Sequence, residues 1–214
     1  MRLNRKVLTL IISIFFLEMA YSQTQEVEEY IHRYIGIGIR SSVFQISELP
    51  TKTIPPNRIF VNVDPIKYLR VEGHYGIYSN EHEVYLGSNP PGKDKLTLKE
   101  NSTLLGGGIF GVYPKGCIKY ILGVRYSQNK YEQDVINASY STPYPNVVTN
   151  HGEIDITSTI LGAEFYFNKW FSIGGEFGIV NLNDVFTPWD TNEPSITTKT
   201  LITESSLLFR FHPY

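Results

Sequence analysis

The chain has 214 residues, 19 Lys+Arg against 21 Asp+Glu for a formal net charge of −2, 42% hydrophobic residues and a single cysteine. That balance, with no cluster of Lys and Arg interleaved with aromatics, argues against nucleic acid as a partner. Cys117 has no second cysteine for an internal disulfide or a structural metal site, so no metal or cofactor is expected. The ordinary hydrophobic content excludes a helical membrane protein, but not a β-barrel, whose strands are apolar only at every second position.

Arg2, Arg5 and Lys6 precede an apolar run from Val7 to Leu17 and then Ala20-Tyr21-Ser22, which is the pattern of a cleavable signal peptide. The run is about half the roughly 20 residues that a spanning helix needs. Cleavage near Ser22/Gln23 leaves 192 residues, 214 minus 22, which is one domain by length. No cysteine follows the site, so no lipid anchor is expected there. Residues 1–22 are then the signal peptide, 23–33 a polar N-terminal segment, and 34–214 the folded domain.

Eight alternating segments follow. Tyr34 to Gln45 sets Ile35, Ile37 and Ile39 against Gly36, Gly38 and Arg40. A connection with Pro50, Pro55 and Pro56 cannot be a central strand; Arg58 to Asp64 then resumes with Ile59, Val61 and Val63. After the Asp64-Pro65-Ile66-Lys67 turn, Tyr68 to Ser79 opposes Leu69, Val71 and Tyr75 to Arg70, Glu72 and His74. Asn80 to Asn101 reads as a long polar loop. Ser102 to Tyr113 is the fourth strand, its facing blurred by Gly106-Gly107-Gly108, and Pro114-Lys115-Gly116 is a short turn. Ile118 to Asn129 sets Tyr120, Leu122, Val124 and Tyr126 against Lys119 and Arg125. Lys130 to His151 reads as a second long loop. Gly152 to Phe167 and Phe171 to Val180 form a hairpin around Asn168-Lys169-Trp170; Asn181 to Ser195 is again a connection, and Ile196 to Phe211 closes the chain.

Period-2 patterning marks strands with two different surroundings, and alternating short and long connections mark an up-and-down barrel with short periplasmic turns and longer extracellular loops. In lipid such a sheet must close, because an open edge leaves backbone groups unsatisfied. The fold expected is therefore all-β: an antiparallel eight-stranded transmembrane β-barrel. With the apolar rows turned to lipid, Arg40, Arg70, Glu72, His74, Lys119, Arg125, Glu164, Glu176, Glu204 and Arg210 fall in the lumen. A lumen of eight strands is just wide enough for side chains to fill, so these charges are expected to pair and plug it. Tyr34, Tyr68, Tyr113, Tyr120, Phe167, Trp170, Phe171, Phe209 and Phe211 lie near the short turns and read as an interfacial aromatic girdle.

The signal peptide, the eight strands, the NVDPIKYLRVEGHYG and AEFYFNKWFSIGGEFG hairpins and the aromatic C-terminus resemble small OmpA/OmpX-type outer-membrane barrels, especially those of Bacteroidetes-like bacteria. The resemblance covers the chain from about Tyr34 onward. It implies a Gram-negative outer membrane, outer-membrane lipid as surroundings, and insertion by the barrel-assembly machinery, which reads an aromatic-ended last strand. Leu207, Phe209 and Phe211 fit that pattern; His212-Pro213-Tyr214 departs from it, which leaves Phe211 or Tyr214 as the terminal aromatic.

The reading of function is a non-enzymatic barrel with a structural or surface-recognition role, binding an extracellular ligand or partner through Tyr131, Tyr140, Tyr144, Trp189 and their neighbours. One alternative is a lipid-modifying enzyme acting on lipid A or phospholipid acyl chains. It would rest on His74 beside Glu72, or on His82 and His151 with Ser79, Ser88 and Glu153, whose spacing demands no triad. A porin-like small pore and a secreted soluble lipocalin-like ligand carrier are the other readings; the soluble one turns the apolar face inward.

Overall fold

In the computed structural model the described residues are 35–46, 54–86, 94–138, 146–187 and 194–213. The signal peptide, the polar N-terminal segment, Tyr34, Tyr140, Tyr144, Trp189 and Tyr214 lie outside them. Eight strands follow one another around a closed barrel: β1 (Ile35–Ile46), β2 (Asn57–Ile66), β3 (Leu69–Leu86), β4 (Asp94–Lys115), β5 (Ile118–Ala138), β6 (Asn146–Tyr166), β7 (Phe171–Thr187) and β8 (Ile196–Phe211). Each pairs antiparallel with its neighbour, and β1 closes on β8 from Ile37↔Phe211 to Ile46↔Thr203, with an irregularity between Ser42 and Phe44.

The turns at one end are tight for local reasons. The Asn168 side-chain oxygen accepts the backbone N–H of Trp170 at 2.7 Å and of Phe171 at 2.9 Å, an Asx arrangement that reverses the β6–β7 hairpin. Gly116 has φ of 59°, the left-handed conformation that glycine adopts without Cβ strain, and it opens the two-residue β4–β5 turn.

The two faces are inverted relative to a water-soluble protein. Outward rows leave Val61, Ile109, Leu122, Leu161 and Phe209 exposed, Leu122 at 60%, whereas the largest fully buried side chains include Arg40, Arg70, Lys119 and Glu164. Leucine toward solvent and arginine inside is stable only where the outer solvent is lipid. The glycine triplet of β4 resolves in the same terms. A Cβ on Gly106 would meet the His74 ring at 2.6 Å and one on Gly108 the Phe110 ring at 2.7 Å, so those two face inward beneath large side chains.

Strand lengths depart from the sequence expectation. β4, β5 and β6 have 22, 21 and 21 residues, about twice the 9–11 that a tilted strand needs to cross a bilayer. The segments read as loops at Asn80 to Asn101 and Lys130 to His151 are thus mostly strand. The β3–β4 pairing runs on to Leu86↔Asp94 and the β5–β6 pairing to Asn137↔Asn146. Beyond the membrane both faces meet water, so the apolar alternation that marks a strand in sequence has no cause there, while backbone pairing continues.

Candidate functional site

The lumen is built in layers. In the middle one, Arg40 from β1, Glu72 from β3, Arg125 from β5 and Glu176 from β7 form a closed ring of alternating charge, one side chain from every second strand. Arg40 Nε donates to Glu176 at 2.9 Å and Nη2 to both oxygens of Glu72 at 2.8 Å. Arg125 Nε donates to Glu72 at 3.1 Å and Nη2 to both oxygens of Glu176 at 3.2 Å. All four are almost fully buried. Charges removed from water on this scale are tolerable only when each is paired and hydrogen-bonded.

Below the ring, toward the turns, Asp64 accepts Arg70 Nε at 2.7 Å, Arg70 Nη2 at 3.0 Å and Lys119 Nζ at 2.9 Å. Glu164 accepts Arg70 Nη1 at 2.8 Å, Arg210 Nη1, and the Ser172 hydroxyl. His212, directly after β8, turns inward to stack on Tyr166 with centroids 5.0 Å apart and sits 3.0 Å from Ser172 Oγ. This layer closes the turn end. Above the ring, Arg58 Nη2 donates to Glu204 at 3.0 Å, and Ser42 also donates to Glu204. Two aromatic side chains separate the cations: Phe60 lies under both guanidinium groups of Arg40 (4.9 Å) and Arg210 (4.8 Å), and Phe110 lies 5.2 Å from that of Arg125.

All ten side chains expected in the lumen are buried. Sequence reasoning missed Arg58, Asp64 and His212, which complete the pairing to six Arg/Lys against five Asp/Glu among the buried residues and leave the lumen close to neutral. Arg58 and Asp64 share the parity of Phe60 and Asn62 in β2, and that signal was available in the sequence. The far half of the interior departs from a charge plug. There Ile54, Leu104, Ile154, Ile156, Val180, Leu182 and Ile202 form an apolar cluster with Tyr131. Ile54 belongs to the β1–β2 connection, read as one of the longer loops; it packs into the apolar cluster and is 6% exposed.

Tyr131 is the correction among the recognition residues. It lies within β5 rather than in a loop, is buried against the space over Gly152, and donates its hydroxyl to Asp184 at 3.1 Å. Its parity in β5 puts it inside, and a ring that closes the apolar cluster is not a surface contact. In the girdle, Tyr68, Tyr113, Tyr120, Phe167, Phe171, Phe209 and Phe211 are exposed around the turn end, and Trp170 stacks on Phe211. A further exposed pair, Tyr75 and Tyr126, stands nearer the opposite rim.

Besides Ser172, His212 and Glu164 at the turn end, a second buried Ser/His/acid set lies in the lumen. His74 Nε2 is 2.7 Å from Ser127 Oγ, and its Nδ1 is 3.6 Å from Glu72. Ser127, His74 and Glu72 are each at most 3% exposed, and Glu72 is already held by two guanidinium groups. A nucleophile needs an approach for its substrate, and this set is sealed inside the barrel. Among the described residues no group of three or more His, Cys, Asp or Glu is arranged to hold a metal ion.

No model of a known protein family matches the chain, and no curated protein matches it in sequence. Among solved structures it is similar to CarO2 of Acinetobacter baumannii at 12% identity, over 83% of this chain and 98% of that one, with a TM-score of 0.38. It is also similar to Ail, the attachment invasion locus protein of Yersinia pestis, at 12% identity over 84% and 95% with a TM-score of 0.35. A third likeness is to BauA, the ferric preacinetobactin receptor of Acinetobacter baumannii, at 12% identity and a TM-score of 0.38; it covers 71% of this chain and spans only 27% of the receptor. By its own closure, lipid-facing rows and buried ion pairs, the chain is an all-β, eight-stranded antiparallel barrel of the outer-membrane type.

Proposed function

We propose that this protein is a non-enzymatic anchor in the outer membrane of a Gram-negative bacterium, holding a recognition sheet above the bilayer. The signal-peptide pattern, with cleavage near Ser22/Gln23, and the aromatic end of β8 support export and insertion by the barrel-assembly machinery. A lumen filled by paired charges and an apolar cluster supports an anchor over a porin-like channel. The observation that carries the reading is the length of β4, β5 and β6, which continue as paired strands for about a crossing's length beyond the membrane. The β2–β3 ladder ends at Ile59↔Tyr75, while β3 stays paired with β4 as far as Leu86↔Asp94.

Replacing residues 132–151 by a short Gly/Ser turn removes the upper β5–β6 hairpin and leaves the spanning part intact. Cells bearing the variant, folded as judged by its heat-modifiable migration, should lose binding to glycan, host-matrix and outer-membrane-protein arrays that the parent binds. An unchanged binding profile would remove the recognition role.

A further inference from the structure

The outward face of the extended sheet carries a concave groove of about 800 Å³ whose floor crosses five strands. One row runs across it in register: Ile77 on β3 opposite Thr103, Thr103 opposite Lys130, Lys130 opposite Glu153, and Glu153 opposite Val185. Its height follows from the girdle. Lys130 lies ten positions beyond Tyr120 on β5 (130 minus 120), and Thr103 ten positions from Tyr113 on β4 (113 minus 103). A tilted strand crosses the hydrocarbon in about 9–11 residues, so this row stands at the polar interface of the opposite leaflet.

Directly below it the surface is lipid-facing, with Leu105 and Tyr126 exposed, and Tyr126 donates its hydroxyl to Asp155 at the lower edge of the groove at 2.6 Å. The groove therefore begins where the apolar band ends. Its charges are mixed and ordered: one cation, Lys130, beside Glu153, with Asp155 below and Glu132 above, the latter 3.6 Å from His151.

We propose that this groove seats the headgroup of a zwitterionic membrane lipid that carries a phosphate and a primary ammonium. Lys130 meets the phosphate and the carboxylates of Glu153 and Asp155 take the ammonium, while the acyl chains descend over the apolar row that starts at Ile77 and Leu105. A primary ammonium donates hydrogen bonds to carboxylates, which a quaternary one does not, and an anionic headgroup without an amine meets the acidic excess unpaired. The lipid would complete the leaflet around a sheet that leaves the membrane at this level.

The test uses the full barrel in phosphatidylcholine nanodiscs doped with phosphatidylethanolamine or phosphatidylglycerol, with retained lipids counted by native mass spectrometry. Phosphatidylethanolamine should be retained about tenfold over either other lipid, the effect of two partly exposed ion pairs. In Glu153→Gln/Asp155→Asn its advantage over phosphatidylcholine should vanish, and Lys130→Gln should lower retention of both zwitterionic lipids. Lys67→Gln, at the turn end, should change nothing. Equal retention of the three lipids by the parent, a preference for phosphatidylglycerol, or an advantage over phosphatidylcholine that survives in Glu153→Gln/Asp155→Asn would overturn the assignment.

Discussion

Arg40 and Glu176 lie 136 positions apart in the chain and 2.9 Å apart in the lumen. Their contact, repeated by Arg125 and Glu72, ties the four odd-numbered strands into one ring and makes closure of the barrel an electrostatic as well as a backbone event. Arg40→Met leaves two carboxylates to one guanidinium. It should destabilise the barrel by about 3–5 kcal/mol, the cost of breaking a buried pair by removing one partner. Arg40→Met/Glu176→Met, which restores charge balance, should recover most of that loss. Urea unfolding in lipid vesicles measures both, and equal stability of parent and single variant would contradict the ring.

Phe60 under two guanidinium groups makes a second prediction. A Cβ on Gly38 would clash with the Phe209 carbonyl oxygen and lie 2.6 Å from the Phe60 ring, so Gly38→Ala must shift the β8 backbone as well as that ring and should cost about 1–3 kcal/mol. In Phe60→Leu the same Gly38→Ala should cost less by the ring's share, while the clash with the Phe209 carbonyl oxygen remains. Equal costs in the two backgrounds would mean that the ring is not what fills this space.

Leu122 distinguishes lipid from water on the outer face. It is 60% exposed, so in a soluble protein Leu122→Lys would fall within about 0.5 kcal/mol of neutral. Two positions inside the Tyr120 girdle, between interface and midplane, it should cost about 1–3 kcal/mol. Vesicle refolding equilibria separate the two values, and a neutral result would favour a soluble barrel.

The filled lumen predicts electrical silence. In planar bilayers the parent should show no steady single-channel conductance, because the ion-pair ring and the layer below it leave no continuous aqueous path. A steady open level would contradict the sealed interior.

Asp184 gives the pH dependence. Near the far rim it faces inward, and burial holds its carboxyl above the ordinary 3.8, although the Tyr131 hydroxyl that donates to it opposes the shift. A carboxyl raised in the folded state stabilises the fold while protonated, so the contribution is present below 3.8 and is lost as pH rises through the folded value. Asp184→Asn escapes that loss, so the variant should gain stability relative to the parent as pH increases across this range. Parallel urea midpoints for the two proteins at every pH would refute it.

By itself the sequence determined which side of each spanning strand meets lipid and where the tight turns fall. Lipid and lumen impose opposite polarities on alternate residues, and Asn168 and Gly116 act on their own backbone. Eight strands and an arginine-bearing interior follow from those local terms. The sheet above the membrane was not legible, since water on both faces erases the alternation; Tyr131 read as a loop residue because β5 was ended at Asn129, although its parity with Ser127 and Asn129 puts it inside. Only the tertiary structure decided which charge meets which. Arg40 reaches Glu72 and Glu176 rather than a nearer acid because closure of β1 on β8 and the stagger of the strands bring every second strand's side chain to one level, and no local pattern in the chain encodes that level.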